Sequence, residues 1–386
     1  NKFIKKLLDS DKAYRCFATK DELDSIREDS NSYHYTGIWR DREKKDIDEE
    51  INKGTSFTIR LKTPIDGIIQ YNDLIYGNIT ISNTELDDFI LFRSDGSPVY
   101  NFTNVIDDYI MGITHVIRGE DHIPNTPKQI LIYNALGFDT PEFAHLPMIL
   151  GEDKKKLSKR HGATGVDEYR QLGYQPAALL NYLALLGWNP GNEEEIFDLK
   201  NLIEKFDLSK VQKKSAVFDH KKFNWVSAQH LLNQDNKDIL NHLIKIDNRW
   251  KSESHNDSFK QLIELVKPRS NSLLDLIEQS EYFFSAPKKF NESDLKKIWE
   301  EDTCQIMKDI IVIFESVDNW IVDKIEDKFK EFVSQNGLEF GKAMKPLRFS
   351  LCGNLKGPSL FDLMQILGKK ESLNRINYAI HKLCNQ

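Results

Sequence analysis

The chain has 386 residues, of which 40% are hydrophobic and 29% are charged, an ordinary composition for a globular protein of roughly two to four domains. Its net charge of −7 argues against indiscriminate binding to nucleic acids, although basic groups concentrated on one face would still allow a nucleic-acid enzyme. No apolar run approaches the ~20 residues that a membrane span needs, so we expect no membrane partner.

The first part of the chain combines strand and helix patterns. Hydrophobic and polar residues alternate in Phe57–Leu61 and again in Asp73–Ser82, as they do in half-buried strands. Phe89–Phe92 and Val99–Phe102 flank a Ser-Asp-Gly-Ser turn, which predicts a hairpin. We therefore predict a mixed α+β module for residues 1–98.

The pattern then changes to that of a parallel sheet. Apolar residues spaced i, i+3, i+4 and i+7 predict a helix over 102–109, and His115–Arg118 predicts a short strand. A helix that begins at Thr126 leads to a second apolar strand, Phe143–Leu150. Strand, helix and strand in this order form a βαβ unit, which places the two strands parallel in one sheet. The rest of the chain is dominated by helical patterns.

A lysine-rich segment follows the second of these strands. Gly151–Val166 carries four lysines and an arginine at the carboxyl end of the strand, where parallel sheets bind their ligands. Lysines there can act as point charges on a triphosphate, and Lys156, Ser158 and Lys159 are the candidates for phosphate contacts. The same run could instead be solvated surface, which is the commoner fate of lysine clusters. Neither a P-loop nor a dinucleotide-binding glycine pattern is present.

Polar side chains also surround the first of the two parallel strands. Arg118 ends that strand and could bind a small carboxylate through two hydrogen bonds, or it could form a salt bridge with Glu120 or Asp121. Tyr100 and Asn104 lie four residues apart, so both could face the same crevice. The alternative interpretation of this second pair is a core tyrosine and a polar residue at the start of a helix.

Three segments, in this order, resemble bacterial glutamyl-tRNA synthetases, which are class I aminoacyl-tRNA synthetases: VYNFTNVIDDYIMGITHVIRGEDHIPNTPKQ, FAHLPMIL and KKLSKRHGATGV. KLSKR, at Lys156–Arg160, resembles the KMSKS-type signature of that class. The resemblance extends over the whole chain. It implies a Rossmann-like catalytic core, an α/β fold with a parallel sheet, of which only the second half is represented. An α+β insertion domain would accompany this core, and an all-α stem and anticodon-binding region would follow it.

The same resemblance divides the chain into four parts. Residues 1–98 would form the insertion domain that binds the tRNA acceptor end, and 99–155 the second half of the nucleotide-binding fold. Residues 156–235 would hold the KMSKS-type loop and the stem-contact domain, and 236–386 the helical anticodon-binding domain.

The resemblance also implies a two-step reaction. ATP, assisted by Mg²⁺, activates L-glutamate to glutamyl-adenylate, and the glutamyl group then passes to tRNA(Glu); charging of tRNA(Gln) stays open, and a monomer is expected. Lys159 would act on the ATP phosphates, helped by Lys156 and Ser158. The glutamate pocket would be formed by Tyr100, Asn104 and Arg118. The residues near the nucleotide would be Glu120, Asp121, Met148 and Ile149. The anticodon contacts would come from Arg348 and Arg269.

The sequence departs from the family in two respects. The HIGH-type signature is absent, from which we expect a chain truncated at its N-terminus and inactive as it stands. Some relatives bind zinc in the insertion domain, but the equivalent region here offers Cys16 together with Ala18, Trp39 and Asp41, so no zinc is expected. The cysteines are scattered without metal-site spacing, and we expect reduced thiols at all four, in a cytoplasmic protein: Cys16, Cys304, Cys352 and Cys384.

Two other functions stay open on the sequence. An enzyme that charges a modified base in tRNA lacks an anticodon-binding domain, whereas this chain continues about 150 residues past the stem region, enough for a further domain. A non-catalytic tRNA-binding protein derived from such a synthetase would lack the first half of the nucleotide fold.

Overall fold

The computed structural model describes residues 2–30, 37–162, 165–252 and 256–384. The chain forms two compact units. The first unit consists of Asn1–Lys156, Leu185–Asn192 and Lys205–Phe218, and the second of Leu157–Ala184, Glu193–Glu204 and Asp219–Gln386.

The first unit carries all of the strands among the described residues. Its elements, in chain order, are α1 (Lys2–Asp9), β1 (Ala13–Cys16), α2 (Lys20–Ser30), α3 (Lys44–Asn52), β2 (Thr58–Leu61), β3 (Ile68–Asp73), β4 (Gly77–Ser82), β5 (Ile90–Phe92), α4 (Tyr100–Met111), β6 (His115–Gly119), α5 (Thr126–Leu136), β7 (Glu142–Leu146), β8 (Ile149–Leu150) and β9 (Ala216–Val217).

The strands form three sheets. β1, β2 and β5 make an antiparallel sheet, and β8 pairs in parallel with β9. The four-stranded sheet has the order β4-β3-β7-β6, in which β6 and β7 run parallel and are connected by α5. The predicted βαβ unit is therefore confirmed. The sheet is mixed, because β4 pairs antiparallel with β3, and it joins strands from both sides of residue 98.

The predicted hairpin is wrong in its second half. β5 forms within Phe89–Phe92, and Phe92 forms an isolated antiparallel bridge with Pro98. The Val99 N–H donates to the Leu91 carbonyl oxygen at 2.9 Å, but the first turn of α4 takes up the rest of the second predicted strand. The pairing with β5 therefore ends at Val99, where α4 begins to form. A helix at this point also buries Phe102, which is 5% exposed, in the core.

The strand predicted over Phe143–Leu150 is interrupted at Pro147. β7 ends before this proline, and the short β8 begins after Met148. Pro147 cannot donate a hydrogen bond to a neighbouring strand. The Met148 N–H donates instead to the Glu120 carboxylate at 2.9 Å, so the break brings the chain to the residues that follow β6.

One apolar core holds the first unit together. It joins α1, α4 and α5 to strands of both larger sheets. Leu7, Leu91, Val105 and Ile132 are its fully buried members, each 0% exposed. Burying such a side chain contributes roughly 1.5–3 kcal/mol, so this core fixes the position of β6 and α5, on which the site is built.

The second unit is helical apart from its loops in the described part of the chain. Its helices are α6 (Val166–Gln171), α7 (Pro176–Leu185), α8 (Leu199–Lys205), α9 (His220–Asn233), α10 (Asn236–Ile246), α11 (Asn256–Val266), α12 (Leu273–Gln279), α13 (Glu281–Phe284), α14 (Glu292–Ile298), α15 (Thr303–Glu315), α16 (Val322–Gln335), α17 (Phe340–Cys352), α18 (Leu360–Leu367) and α19 (Lys369–Leu383).

Two apolar clusters organise these helices. One joins α15 to α19 and contains Phe314, Phe329 and Ile376, and the other joins α9 to α12 around Trp250. The prediction of a helical C-terminal region is confirmed. None of the described helices combines the length and the apolar character that crossing a bilayer requires.

The prediction of four reduced thiols is wrong for two of them. Cys304, in the first turn of α15, is disulfide-bonded to Cys384, which follows α19 directly. The two residues are 80 positions apart, so their spacing offered no sign of the pair. They meet because α15 and α19 pack against each other. Neither Cys16 nor Cys352 is disulfide-bonded, and both are buried.

Candidate active site

Arg118 lies near the end of β6, an outer strand of the four-stranded sheet, and neutral side chains hold its guanidinium. Nε donates to His145 Nε2 at 3.2 Å. One terminal nitrogen, Nη2, donates to Thr126 Oγ1 at 2.7 Å and to Gln129 Oε1 at 2.9 Å. The other, Nη1, is buried and has no hydrogen-bond partner among the described residues.

A salt bridge to the neighbouring carboxylates, the alternative interpretation of Arg118, does not fit this geometry. Glu120 accepts hydrogen bonds from a tyrosine hydroxyl and from the Met148 N–H. Asp121 pairs with Lys156. Arg118 is thus a half-buried cation with an unused donor, an arrangement suited to binding an anion, because a charge-assisted hydrogen bond is stronger than a neutral one.

A buried pair, His145 and Asp73, orients Arg118. His145 Nδ1 lies 2.6 Å from Asp73 Oδ2, and both side chains are 0% exposed. Asp73 also accepts the backbone N–H groups of Ile75 and Tyr76, at 2.9 and 2.8 Å. Because Nε2 accepts from Arg118, the imidazole proton lies on Nδ1 and is donated to Asp73.

We expect His145 to make the stability of the chain sensitive to acid. Burial lowers the pKa of His145 below its usual 6.5, and Asp73 offsets only part of that effect. As pH falls below 6.5, the unfolded chain therefore binds a proton that the folded chain does not. As the pH is lowered, His145 alone should therefore decrease the free energy of unfolding by up to about 1.4 kcal/mol per pH unit.

Urea denaturation at about pH 7.5 and about pH 5.5 tests this expectation, because only the difference between the two conditions reports the linkage. A His145→Gln variant should lose less stability between the two conditions than the wild-type chain. The exposed His115 provides the control, since His115→Gln should leave the wild-type decrease in place. Equal decreases in all three proteins would contradict the assignment.

Asn104 belongs to the same network as Arg118. Its Oδ1 accepts from Gln129 Nε2 at 2.9 Å, and Gln129, which is 1% exposed, accepts from Arg118. Tyr100 is 50% exposed, and its ring lies 5.9 Å from that of His122. The interpretation of Tyr100 as a core residue is therefore wrong. Asn104 is connected to Arg118 through a single buried side chain.

Glu120 fixes the turn between β7 and β8. One carboxylate oxygen accepts from the Tyr76 hydroxyl, and the other accepts from the Met148 N–H at 2.9 Å. Burial, with the Glu120 carboxylate adding to it, raises the pKa of Tyr76 to about 12. Ile149, the next residue, pairs with β9. Among the residues predicted to lie near the nucleotide, Glu120 and Met148 are thus in direct contact.

The lysine-rich segment folds back as a turn at the end of β8. The Gly151 N–H donates to the Lys155 carbonyl oxygen at 2.8 Å, and Lys156 forms an isolated antiparallel bridge with Leu150. Lys156 Nζ lies 3.1 Å from Asp121 Oδ2, and this contact lowers the pKa of Asp121. Both partners are exposed, so the pair is weak and Lys156 is available to a stronger anion.

Ser158 and Lys159 belong to the second unit. Lys159 begins the short 3₁₀ helix Lys159–His161, and its side chain is exposed. Ser158 already has an interaction of its own. The remaining residues predicted for the glutamate, nucleotide and phosphate sites all lie in the first unit: Tyr100, Asn104, Arg118, Glu120, Asp121, Met148, Ile149 and Lys156.

The two arginines predicted to contact the anticodon converge on one loop of the second unit. Arg269 donates to the Gly357 carbonyl oxygen, and Arg348 donates to that of Pro358 at 2.7 Å. Burial lowers the pKa of Arg348, and the charge of Arg269 adds to this effect. A cation whose charged form is disfavoured by burial and by a like charge favours an anion or a lone-pair acceptor as its partner.

Comparison with known proteins assigns the family. Residues 1–225 match the profile described as tRNA synthetases class I (E and Q), catalytic domain, and residues 228–380 match that of an anticodon binding domain. The chain belongs to the class I tRNA synthetases of this glutamate and glutamine family. It is an aminoacyl-tRNA synthetase and hence a ligase, and the resemblance found in the motifs is confirmed.

Relatives of this synthetase chain include several glutamate–tRNA ligases. Glutamate–tRNA ligase 2 of Thermoanaerobacter pseudethanolicus is 39% identical over 387 residues, 98% of this chain and 81% of that protein. The ligase of Geotalea uraniireducens is 40% identical over 383 residues, 98% of this chain and 80% of that protein. The crystal structure of a glutamate tRNA ligase from Elizabethkingia meningosepticum, in complex with its amino acid, matches with a TM-score of 0.88 and 36% identity over 99% of this chain and 82% of that one.

Four residues of the Arg118 network were not predicted as site residues. His145 had a usable signal, because it is a polar residue inside the apolar run of β7. Thr126 was predicted only as the start of α5. Gln129 and Asp73 had no local signal. Gln129 bonds to Arg118 and Asn104, which lie 11 and 25 positions away, and Asp73 bonds to His145, which lies 72 positions away.

Proposed function

We propose that this synthetase catalyses the ATP-dependent ligation of L-glutamate to tRNA(Glu) through glutamyl-adenylate. The observation that carries the proposal is the Arg118 guanidinium, which keeps a buried, unpaired donor near the carboxyl end of β6. In parallel α/β sheets, ligands bind at the carboxyl ends of the strands. The names of the relatives, and the solved complex of one of them with its amino acid, support the choice of glutamate.

Arg118 is proposed to bind a carboxylate of glutamate through Nη1. Its other nitrogens already donate to His145, Thr126 and Gln129, which fixes the plane of the guanidinium before the substrate arrives. A cation oriented in advance needs little reorganisation on binding. Asn104, whose amide oxygen is taken by Gln129, would offer its amide nitrogen to the substrate. The half-exposed Tyr100 completes the proposed pocket.

The nucleotide is assigned to the residues that follow the two parallel strands, together with the lysines. Activation transfers the adenylyl group of ATP to the glutamate carboxylate and releases pyrophosphate, so it requires cations where charge builds up on phosphorus rather than an acid–base side chain. We assign this role to Lys159, with Lys156 and Ser158 assisting. The residues assigned to ATP besides Lys159 are Glu120, Asp121, Met148 and Ile149.

Mg²⁺ is proposed to enter with ATP. Mg²⁺ usually keeps several waters and is bound by substrate phosphates with only one or two carboxylates. The described residues contain no group of three or more His, Cys, Asp or Glu side chains placed to hold a metal. We propose no dedicated protein cage for the ion. Zinc is also not proposed, because the region equivalent to the zinc site of some relatives offers Cys16 together with Ala18, Trp39 and Asp41.

The proposed organisation follows the four parts of the chain. Residues 1–98 serve as the insertion domain, 99–155 as the second half of the nucleotide-binding fold, 156–235 as the KMSKS-type loop with the stem-contact domain, and 236–386 as the helical anticodon-binding domain. The match of an anticodon-binding profile to residues 228–380 supports the last assignment. We propose that the enzyme acts in the cytoplasm as a monomer.

Replacing Arg348 with alanine should raise KM for tRNA(Glu) by about tenfold, the scale of one lost arginine contact to a base. KM for glutamate should stay unchanged, because Arg348 lies in the second unit among the helices of the anticodon-binding match. Lys370→Ala removes an exposed cation of the same unit and should have little effect. A rise in KM for tRNA that is equal in both variants would show a general electrostatic effect instead.

Aminoacylation with radiolabelled glutamate tests the function as a whole. The enzyme, expressed from its complete reading frame, should charge purified tRNA(Glu) and leave tRNA(Asp) uncharged. A parallel reaction with tRNA(Gln) decides whether that tRNA is a second substrate. Tight binding of tRNA(Glu) without charging, in an assay with ATP and Mg²⁺ present, would refute the proposal and favour a non-catalytic tRNA-binding protein.

A further inference from the structure

A cavity of about 390 Å³ lies in the second unit, between α6 and α7 on one side and α10 on the other. Its apolar lining includes Val166, Leu179, Ile246 and Leu273. Val166 is 69% exposed and Ile246 is 48% exposed, so apolar surface continues from the interior to the rim. None of the residues assigned to glutamate, ATP or the anticodon lines this cavity.

The polar lining of the cavity carries positive charge. Arg170 and Lys245 contribute their cationic side chains, and His242 contributes an imidazole. All three are exposed, and none of them has a side-chain hydrogen bond or ion pair within the described parts of the chain. No described Asp or Glu lines the cavity. The charges at the rim are therefore not compensated within the lining.

The walls of the cavity are built without a ligand. Tyr174, which lines it, donates from its hydroxyl to Asn224 at 2.7 Å. The Gly173 carbonyl oxygen accepts from the Leu273 N–H at 3.0 Å, and this joins the loop after α6 to α12. Gly173 has φ +77°, and a Cβ there would lie 2.7 Å from the backbone nitrogen of Leu274, so this close approach requires glycine.

We propose that this cavity binds a small organic anion with an apolar body, such as an alkyl or aryl carboxylate or sulfonate. The apolar body would fill the interior, where burial of apolar surface provides the main gain. The anionic head would stay at the rim, within reach of Arg170 and Lys245, whose side chains carry no competing carboxylate. A cationic or neutral ligand of the same shape would lack the attraction between an anionic head and the two rim cations, Arg170 and Lys245.

A ligand in this position would connect the two family segments. α6 and α7 belong to the part matched by the catalytic-domain profile, 1–225, whereas α10 and α12 belong to the part matched by the anticodon-binding profile, 228–380. Binding to the folded chain alone raises its apparent stability, so a bound ligand should raise the temperature at which the second unit unfolds. The site is independent of the proposed substrate assignments.

Fluorescence titration with 8-anilinonaphthalene-1-sulfonate, an aryl sulfonate, tests the site on the full chain. Octanoate should displace the probe, and octanol or octylammonium at the same concentration should not. Arg170→Glu and Lys245→Glu should each weaken probe binding about tenfold or more, the scale of one charge-assisted hydrogen bond. Lys237→Glu makes the same charge change at an exposed position of α10 outside the cavity. This variant should change the affinity for the probe by less than about twofold.

The apolar part has its own matched pair of variants. Ile246→Ser should weaken probe binding by about threefold or more, whereas Ile203→Ser, at an exposed position of α8 in the same unit, should leave it unchanged. Circular dichroism of each variant shows that it has folded. Probe binding that none of the cavity variants changes would overturn the proposal. So would variants that weaken tRNA binding but leave probe binding intact, since the cations would then belong to a tRNA surface.

Discussion

Replacing Arg118 with glutamine should lower kcat/KM for L-glutamate by about 10³-fold, because two charge-assisted hydrogen bonds to a carboxylate contribute roughly 2 kcal/mol each. The two donors in question are the N–H groups of the buried, unpaired Nη1. Glutamine keeps a similar length and an amide but loses the charge. ATP–pyrophosphate exchange with saturating ATP and tRNA(Glu) measures the effect, and KM for ATP should change little.

The control for this substitution is Arg93→Gln. Arg93 is an exposed arginine of the first unit whose Nη1 donates to Ser97, so its loss should leave kcat/KM unchanged. Since Arg118 also donates to Thr126 and Gln129, the folded state of the Arg118 variant must be verified by its thermal unfolding. If Arg118→Gln folds and keeps the activity of Arg93→Gln, Arg118 does not bind the substrate.

Lys159→Ala should reduce kcat for ATP–pyrophosphate exchange by about 10²-fold, the scale found when one group that stabilises a charged transition state is removed. The expected effect falls on kcat, because the charge around the α-phosphorus of the transferred adenylyl group and on the departing pyrophosphate is largest in the transition state. KM for glutamate should stay close to that of the wild-type enzyme. The measurement again uses saturating tRNA(Glu), so that a tRNA-dependent step does not hide the effect.

Lys155→Ala is the matched control for Lys159→Ala. Both residues are exposed lysines of the same segment, but Lys155 lies outside KLSKR. Its side chain should contribute only to the general field around the site, which salt screens. Equal losses of activity in the two variants would show that the total charge of the segment matters rather than a placed cation. Unchanged exchange in Lys159→Ala would remove the role we assign to this lysine.

Much of this architecture could be predicted because hydrophobic spacing is a local property of the chain. The i, i+3, i+4, i+7 pattern located α4, and two apolar runs on either side of a helix located β6, α5 and β7. Arg118 could be selected as a candidate anion-binding residue because it ends a predicted strand. The motifs around Lys156 and Lys159 identified the family.

Local hydrophobic spacing did not predict where β5 and β7 end, because those ends depend on contacts with residues elsewhere in the chain. Pro98 and Pro147 are visible in the sequence, but the consequence of each depends on its surroundings. After Pro98 the chain enters α4, since Phe102 reaches the core. After Pro147 the chain bends because Glu120, which follows another strand, accepts the Met148 N–H.

The state of Arg118 is decided by contacts between residues far apart in the chain. A salt bridge to Glu120 or Asp121 was equally consistent with the sequence. In the fold, Glu120 is occupied by Tyr76 and Met148, which lie 44 and 28 positions away, and Asp121 by a lysine 35 positions away. His145 and Asp73, 72 positions apart, meet because β3 and β7 are neighbours. Residue type and local order therefore identify Arg118 as a candidate cation. Strand pairing and helix packing, however, decide that its Nη1 stays unpaired and can bind a ligand, and local spacing in the sequence does not encode either of them.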